Sequence, residues 1–220
     1  MCKTASLAEQ PESPFYFESQ KRRTAVAYDG WSRIWNLASY TNRAIYDRAL
    51  AALDDRHQRV LDVGCGTGIM SAKLAASGRD TLGVDLSPAM IHRARRKRTA
   101  NLDFIIGDAE HLPVADGEFD AVVNLISLHH YPNANRALSE FHRVLRPGGR
   151  LVLVIFDRNS HYIKLTQRIN RWTKPIAGRT WQKTAAEALA LVKDAGLRHV
   201  VSEPVDYWIK TQAIVADRPE

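Results

Sequence analysis

The sequence predicts an α/β fold, a doubly wound sheet that is mostly parallel with an antiparallel hairpin at one edge. Three observations predict it. From residue 59 to 156, short β-rich runs alternate with helical stretches, and that alternation implies parallel strands joined by right-handed crossovers. The strand runs are apolar almost without break, Leu151 to Phe156 most of all, as a sheet covered on both faces requires. The two last strand candidates follow each other with only a short turn, marked by Glu203-Pro204, between them, too short a link for a parallel crossover.

The elements follow in order. Residues 1–20 hold Pro11, Pro14 and many small or polar residues; a loose leader is expected there, ahead of one domain over 21–220. Over 24–53 the pattern turns helical and aromatic, and Trp31 and Trp35, four apart, share a helix face. Arg59 to Val63 reads as a strand, Ile69 to Ser77 as a helix closed by Gly78, and Thr81 to Val84 as a second strand. Ser87-Pro88 supplies an N-cap and a first-turn proline, opening a helix expected to reach about Ala100. Leu102 to Ile106 and Phe119 to Ile126 read as strands. Asn133 to Leu145 is a helix stopped by Pro147-Gly148-Gly149, and Arg150 to Phe156 is the next strand. Tyr162 to Trp172 is amphipathic, and Thr184 to Ala195 is a helix closed by Gly196. His199 to Ser202 and Tyr207 to Ala216 are the hairpin strands.

Composition excludes several classes. In 220 residues, 45% hydrophobic and 25% charged content is that of a globular protein. Only Cys2 and Cys65 occur, too few for a disulfide scaffold or a cysteine zinc site, and no metal is expected. The longest purely apolar run is far shorter than a membrane span. A cytoplasmic protein is the expectation. The charge is +7, and its placement matters more than its sum. Arg93, Arg95, Arg96, Lys97 and Arg98 fall in a stretch without acids, and residues 158–183 carry seven more bases, again without an acid. Outside those stretches the acids are in excess. The first patch reads as the solvated face of a helix. In the second, Tyr162, Leu165, Ile169 and Trp172 lie beside Lys164, Arg168 and Arg171, the pattern of an amphipathic basic helix.

The sharpest feature is Val60-Leu61-Asp62-Val63-Gly64-Cys65-Gly66-Thr67-Gly68, a strand running into a glycine turn and a helix. Asp85, at the end of the second strand, is placed to accept hydrogen bonds from ribose hydroxyls. The first half is therefore expected to bind a nucleoside-containing ligand. The dinucleotide fingerprint is Gly-x-Gly-x-x-Gly, whereas this loop is one residue tighter. The stretch resembles motif I of the class I S-adenosylmethionine-dependent methyltransferases. Gly83-Val84-Asp85-Leu86-Ser87 resembles their ribose-binding segment. Gly107-Asp108-Ala109-Glu110, followed by Leu112-Pro113 and Phe119-Asp120, resembles their adenine-binding segment, and Leu145-Arg146-Pro147-Gly148-Gly149 their turn into strand five. The subfamily it most resembles is the ubiquinone/menaquinone C-methyltransferase-like group, also called methyltransferase type 11.

The resemblance implies a Rossmann-like seven-stranded sheet, S-adenosyl-L-methionine as cofactor and methyl transfer to a small-molecule acceptor, anionic or amphipathic. It implies that Gly64 and Gly66 pass close to the methionine part, with Asp62 orienting its amino group. Asp85 holds the ribose, and Asp108 with the Ala109 backbone receives the adenine. Leu86, Met90 and Leu125 flank the cofactor, and Tyr28 belongs to an N-terminal cover. Residues 158–183 are a lid over the substrate and a candidate for contact with an anionic membrane surface. His129 and His130, just beyond the fourth strand, are the candidate general bases. A nucleic-acid (tRNA) methyltransferase is the second reading, prompted by the charge. Against it, Val123-Asn124-Leu125-Ile126 is not the Asn/Asp-Pro-Pro-Tyr/Phe motif of amino-methylating nucleic-acid enzymes. A non-catalytic S-adenosylmethionine-binding protein is the third. The glycine spacing disfavours a nicotinamide-dependent oxidoreductase.

Overall fold

The computed structural model describes residues 19, 21–26, 42–170, 180–205 and 209–220. Trp31, Trp35, Tyr28, Trp172 and nearly all of the leader lie outside the described residues. A helical segment at 21–26 is followed by α1 (Arg43–Ala51), and then by the alternation that the sequence predicts. It comprises β1 (Arg59–Val63), α2 (Ile69–Ala76), β2 (Asp80–Asp85), α3 (Pro88–Ala94), β3 (Leu102–Ile106) and β4 (Phe119–Leu125). After these come α4 (Ala134–Val144), β5 (Leu145–Phe156), α5 (His161–Asn170), α6 (Ala185–Asp194), β6 (Arg198–Val205) and β7 (Thr211–Asp217).

The strands form one seven-stranded sheet in the order β3-β2-β1-β4-β5-β7-β6. The five strands β1 to β5 run parallel, and β7 lies antiparallel between β5 and β6. Burial explains the unbroken apolar runs. Six of the seven β4 residues are buried, and Leu151 to Val154 of β5 are fully buried, because helices cover both faces. One face of α4 supplies Ala134, Ala137, Leu138, Phe141 and Val144 to that core, the three-and-four spacing of an amphipathic helix. Thr184 and Glu187 form a reciprocal capping box that starts α6.

Three boundaries differ from expectation. The α3 helix stops at Ala94 and tightens into a 3-10 turn, Arg95–Lys97, because the chain must turn back at Thr99 to pair with Leu102. Its basic patch is not merely solvated. Arg95 Nε donates to Phe104 O, Lys97 Nζ to Thr67 O, and Arg98 pairs with Asp103. The β5 strand begins at Leu145, before Pro147-Gly148-Gly149, with its register against β4 shifting between Phe119 and Ala121. Pro204 lies inside β6, opposite Gln212, instead of in the turn; β6 is an edge strand, where a missing donor is tolerated.

Candidate functional site

Because β1 is flanked by β2 on one side and β4 on the other, the crossovers leave it in opposite directions. That is where an open sheet has its ligand crevice. A cavity of about 420 Å³ opens there, at the carboxyl ends of the parallel strands, within the range of small-molecule sites.

The glycine loop forms its floor. The Gly64 and Cys65 N–H groups both donate to Val84 O, folding the loop back onto β2. Gly64 has φ +72°, and a Cβ on it would stand 2.6 Å from Ser127 Oγ and 2.9 Å from the Tyr131 hydroxyl. Gly68 has φ +78° and caps α2, with the Phe104 ring where its Cβ would be. No side-chain-bearing residue fits either place without moving its neighbours.

Carboxylates line the rest of that wall. Asp85 accepts from Gly66 N–H at 2.8 Å through Oδ2 and from Ser87 N–H at 2.9 Å through Oδ1. These two backbone donors fix the orientation of the carboxylate at the cavity. Asp62 is 2% exposed and accepts from Ser71 Oγ at 2.6 Å. Burial pushes its carboxyl up to about 7, with the nearby Asp85 charge adding to the rise. Asp108 Oδ1 accepts from Glu110 N–H at 2.9 Å, and Oδ2 from Lys21 Nζ at 2.7 Å. The same lysine nitrogen lies 2.8 Å from Glu110 Oε2.

The opposite wall comes from the end of β4. Asn124 Nδ2 reaches Val63 O, Ser127 Oγ and the Tyr131 hydroxyl, all within 2.9 Å. Ile126 follows with φ +53° while its N–H donates to Val154 O at 2.7 Å. A β-branched residue in the left-handed region is strained, and it sits where β4 must stop to open the cavity. His130 lines the cavity together with Tyr131, whereas His129 is not among its lining residues and lies against His130 and Phe156. Burial pushes the His129 imidazole down to about 4 and that of His130 well below its ordinary range, so both are neutral near pH 7.

Residues 61–153 match the family described as Methyltransferase domain. That stretch of the chain is similar to a methyltransferase domain. A demethylmenaquinone methyltransferase from Beutenbergia cavernae is 41% identical over 146 residues, 64% of this chain and 56% of that protein. A fatty-acid O-methyltransferase from Mycolicibacterium smegmatis is 36% identical over 148 residues, 66% of this chain and 52% of that protein. The chain thus spans about half the length of these curated relatives. The fold matches a Haloferax volcanii methyltransferase solved with the Trm112 activator, with a TM-score of 0.76 and 22% identity over 90% of this chain and 98% of that one. It also matches an S-adenosylmethionine-dependent methyltransferase from Thermotoga maritima, with a TM-score of 0.71 and 20% identity over 89% and 99%.

The fold gathers Asp62, Gly64, Gly66, Asp85, Leu86, Met90, Asp108, Ala109 and Leu125 around this cavity. Tyr28 lies outside the described residues. The donor set fits a sulfonium nucleoside. Three aspartates facing one cavity suit a ligand with an ammonium, a ribose diol and an aromatic amine, and they oppose a pyrophosphate. The sequence reading passed over Lys21, Asn124, Ser127 and the Tyr131 hydroxyl. Lys21 stands next to a stretch read as loose leader, and nothing local marks it. Asn124 interrupts the apolar run from Ala121 to Leu125 of β4, which is the signal that would have found the network. Among the described residues, no cluster of His, Cys, Asp or Glu could hold a metal ion, and no helix is long and apolar enough to cross a membrane.

Proposed function

We propose that this chain transfers the methyl group of S-adenosylmethionine to a small-molecule acceptor that is amphipathic or anionic. The observation that carries the reading is the two-sided cavity, with Asp62, Asp85 and Asp108 on the glycine-loop side and Leu125, Ile126 and Phe156 on the other. The cofactor supplies an electrophilic methyl on a cationic sulfur. This chain's residues bind and orient. Asp85 receives the ribose diol, Asp108 and the Ala109 backbone the adenine edge, and Asp62 the ammonium group. Strained Ile126 and the tied Tyr131 hold the end of β4 in place, so that the acceptor meets a fixed wall. Positioning of that kind supplies much of the acceleration of an in-line displacement. A neutral His130 serves as a hydrogen-bond acceptor for a hydroxyl acceptor more readily than as a store of protons, since its low basicity disfavours holding one.

The acceptor side supports the amphipathic reading. Phe156, Tyr162 and Ile209 line the cavity, while Leu165, 57% exposed, and Lys164 face outward on α5. The names of the relatives, demethylmenaquinone and fatty-acid methyltransferases, point the same way. Calorimetry with S-adenosylhomocysteine tests the first half of the proposal, and no heat of binding sinks it. Transfer of labelled methyl to a panel of long-chain acids, quinols and tRNA tests the second. Turnover on tRNA alone would replace the small-molecule acceptor with a nucleic acid.

A further inference from the structure

Lys21 belongs to the helical segment 21–26, far in sequence from the nucleoside wall, yet its ammonium is buried between Asp108 and Glu110. Its side chain is 8% exposed and that of Glu110 5%. Glu110 is already engaged elsewhere, since its Oε1 accepts from Asn133 N–H and its backbone carbonyl from Arg136 Nε. Burial alone would lower the Lys21 pKa; the hydrogen bonds and charges of Asp108 and Glu110 more than reverse that and raise it. Lys21 and both acids line the cavity itself, so the ion pair is part of the ligand wall.

We propose that Lys21 is a positioning residue for the nucleobase: it holds the Asp108 carboxylate aimed, so that Asp108 accepts the exocyclic amine. This rests on the reading of the cavity as a nucleoside site. Glu110, buried, and Asp108, 26% exposed, repel each other once the shared nitrogen is gone, and that repulsion favours protonation of one of them. The other groups near the pair do not substitute for it. Arg136 reaches only the Glu110 carbonyl, and His111 bonds Asp108 O through its backbone N–H. Asp85 on the same wall is itself an acid, and His130 is neutral. The second oxygen of Asp108 is held by Glu110 N–H, and an ammonium at Oδ2 leaves a lone pair on that oxygen for the base.

The probe is 5′-methylthioadenosine, which has the base and the ribose but no ammonium for Asp62; the titration of Asp62 itself, pushed up to about 7, is common to every variant and cancels when each is compared with wild type at the same pH. Its affinity is measured by calorimetry from pH 6 to 8.5 in the wild-type, Lys21→Met, Lys21→Arg and Lys21→Met/Glu110→Gln proteins. Lys21→Met is expected to bind roughly tenfold more weakly at pH 6, the size of one lost charge-assisted hydrogen bond. The deficit closes as pH rises and the shared proton leaves. Lys21→Arg and the double variant, which removes the competing acid, are expected to stay within about threefold of wild type at every pH, on the scale of a weak hydrogen-bond difference. A loss in Lys21→Met that is equal at all pH values and not rescued in the double variant overturns the inference and makes Lys21 an anchor of the helix alone. Unchanged binding by Lys21→Met overturns it too. A wild-type protein that binds neither this probe nor S-adenosylhomocysteine overturns the nucleoside reading itself.

Discussion

The Ser127 and Tyr131 hydroxyls stand 3.0 Å apart, with Tyr131 as donor, and together they fill the space beside Gly64. One turn after β4 is thereby keyed into the glycine loop after β1. Gly64→Ala meets both hydroxyls and must also hold φ +72°. It is expected to cost about 2–4 kcal/mol, from left-handed strain plus overpacking, read as a lower urea midpoint.

Tyr131→Phe removes the donor and keeps the ring. It is expected to cost about 1 kcal/mol and to lower turnover more than cofactor affinity, because the end of β4 faces the acceptor. Equal losses in the two readouts would instead make the network a support of the glycine loop alone.

Asp62 gives a stability prediction with a definite sign. Its folded pKa is raised from the ordinary carboxylate value to about 7. The fold therefore binds a proton that the unfolded chain has already released, and stability falls as pH rises from about 4 to 7. Asp62→Asn removes that penalty. At pH 8 its melting temperature is expected to rise by about 2–4 °C, the equivalent of about 1 kcal/mol in a domain of this size, with little change at pH 4. Affinity for S-adenosylhomocysteine is expected to fall in the same variant, because the partner of the ammonium is gone. A melting temperature unchanged at pH 8 would show that Asp62 is not strained by its burial.

The histidine pair carries the opposite dependence. His129 titrates near 4 in the fold against 6.5 in an open chain, so the unfolded chain takes up the proton first. The stability is fully present above about pH 6.5 and is lost as pH falls toward 4. His129→Gln is expected to flatten part of that loss in denaturation curves at pH 7.5 and 5. His130→Ala, which opens the cavity wall, is expected to lower turnover with cofactor affinity preserved; an unchanged rate removes it from the acceptor side.

Asp85→Asn keeps one acceptor oxygen where two backbone donors wait, Gly66 N–H and Ser87 N–H. A loss of S-adenosylhomocysteine binding of about a hundredfold is expected, with a stability cost of about 1–3 kcal/mol from the unpaired donor. Near-wild-type affinity in calorimetry would remove Asp85 from the ligand site.

Much of the fold was legible in the sequence because the parallel strands are buried on both faces, so their apolar runs and glycine stops are written locally. The boundaries that moved depend on distant partners. Leu145 joins β5 because Phe119 lies opposite it, and Pro204 is tolerated in β6 because no strand lies beyond it. The same division holds at the site. Gly64 and Asp85 stand at strand ends where spacing announces them, and Asp108 lies in a segment marked by its resemblance to a known motif. Lys21 reaches Asp108 from 87 residues away, and Ser127 matters through the absent Cβ of Gly64. His129 and His130 are adjacent in sequence, yet only the second faces the cavity, because the 3-10 turn Leu128–His130 points the two rings differently.

The aspartate wall also ranks its occupants by charge. For the proposed reaction, transfer turns a cationic sulfonium into a neutral thioether while Asp62 and Asp85 stay where they are. In that reaction the attraction of Asp62 and Asp85 for the guest would weaken as its positive charge is lost, and the site would favour the charged form over the neutral one without moving a residue. Added salt would narrow that difference only slightly, because groups buried as Asp62 is are screened little.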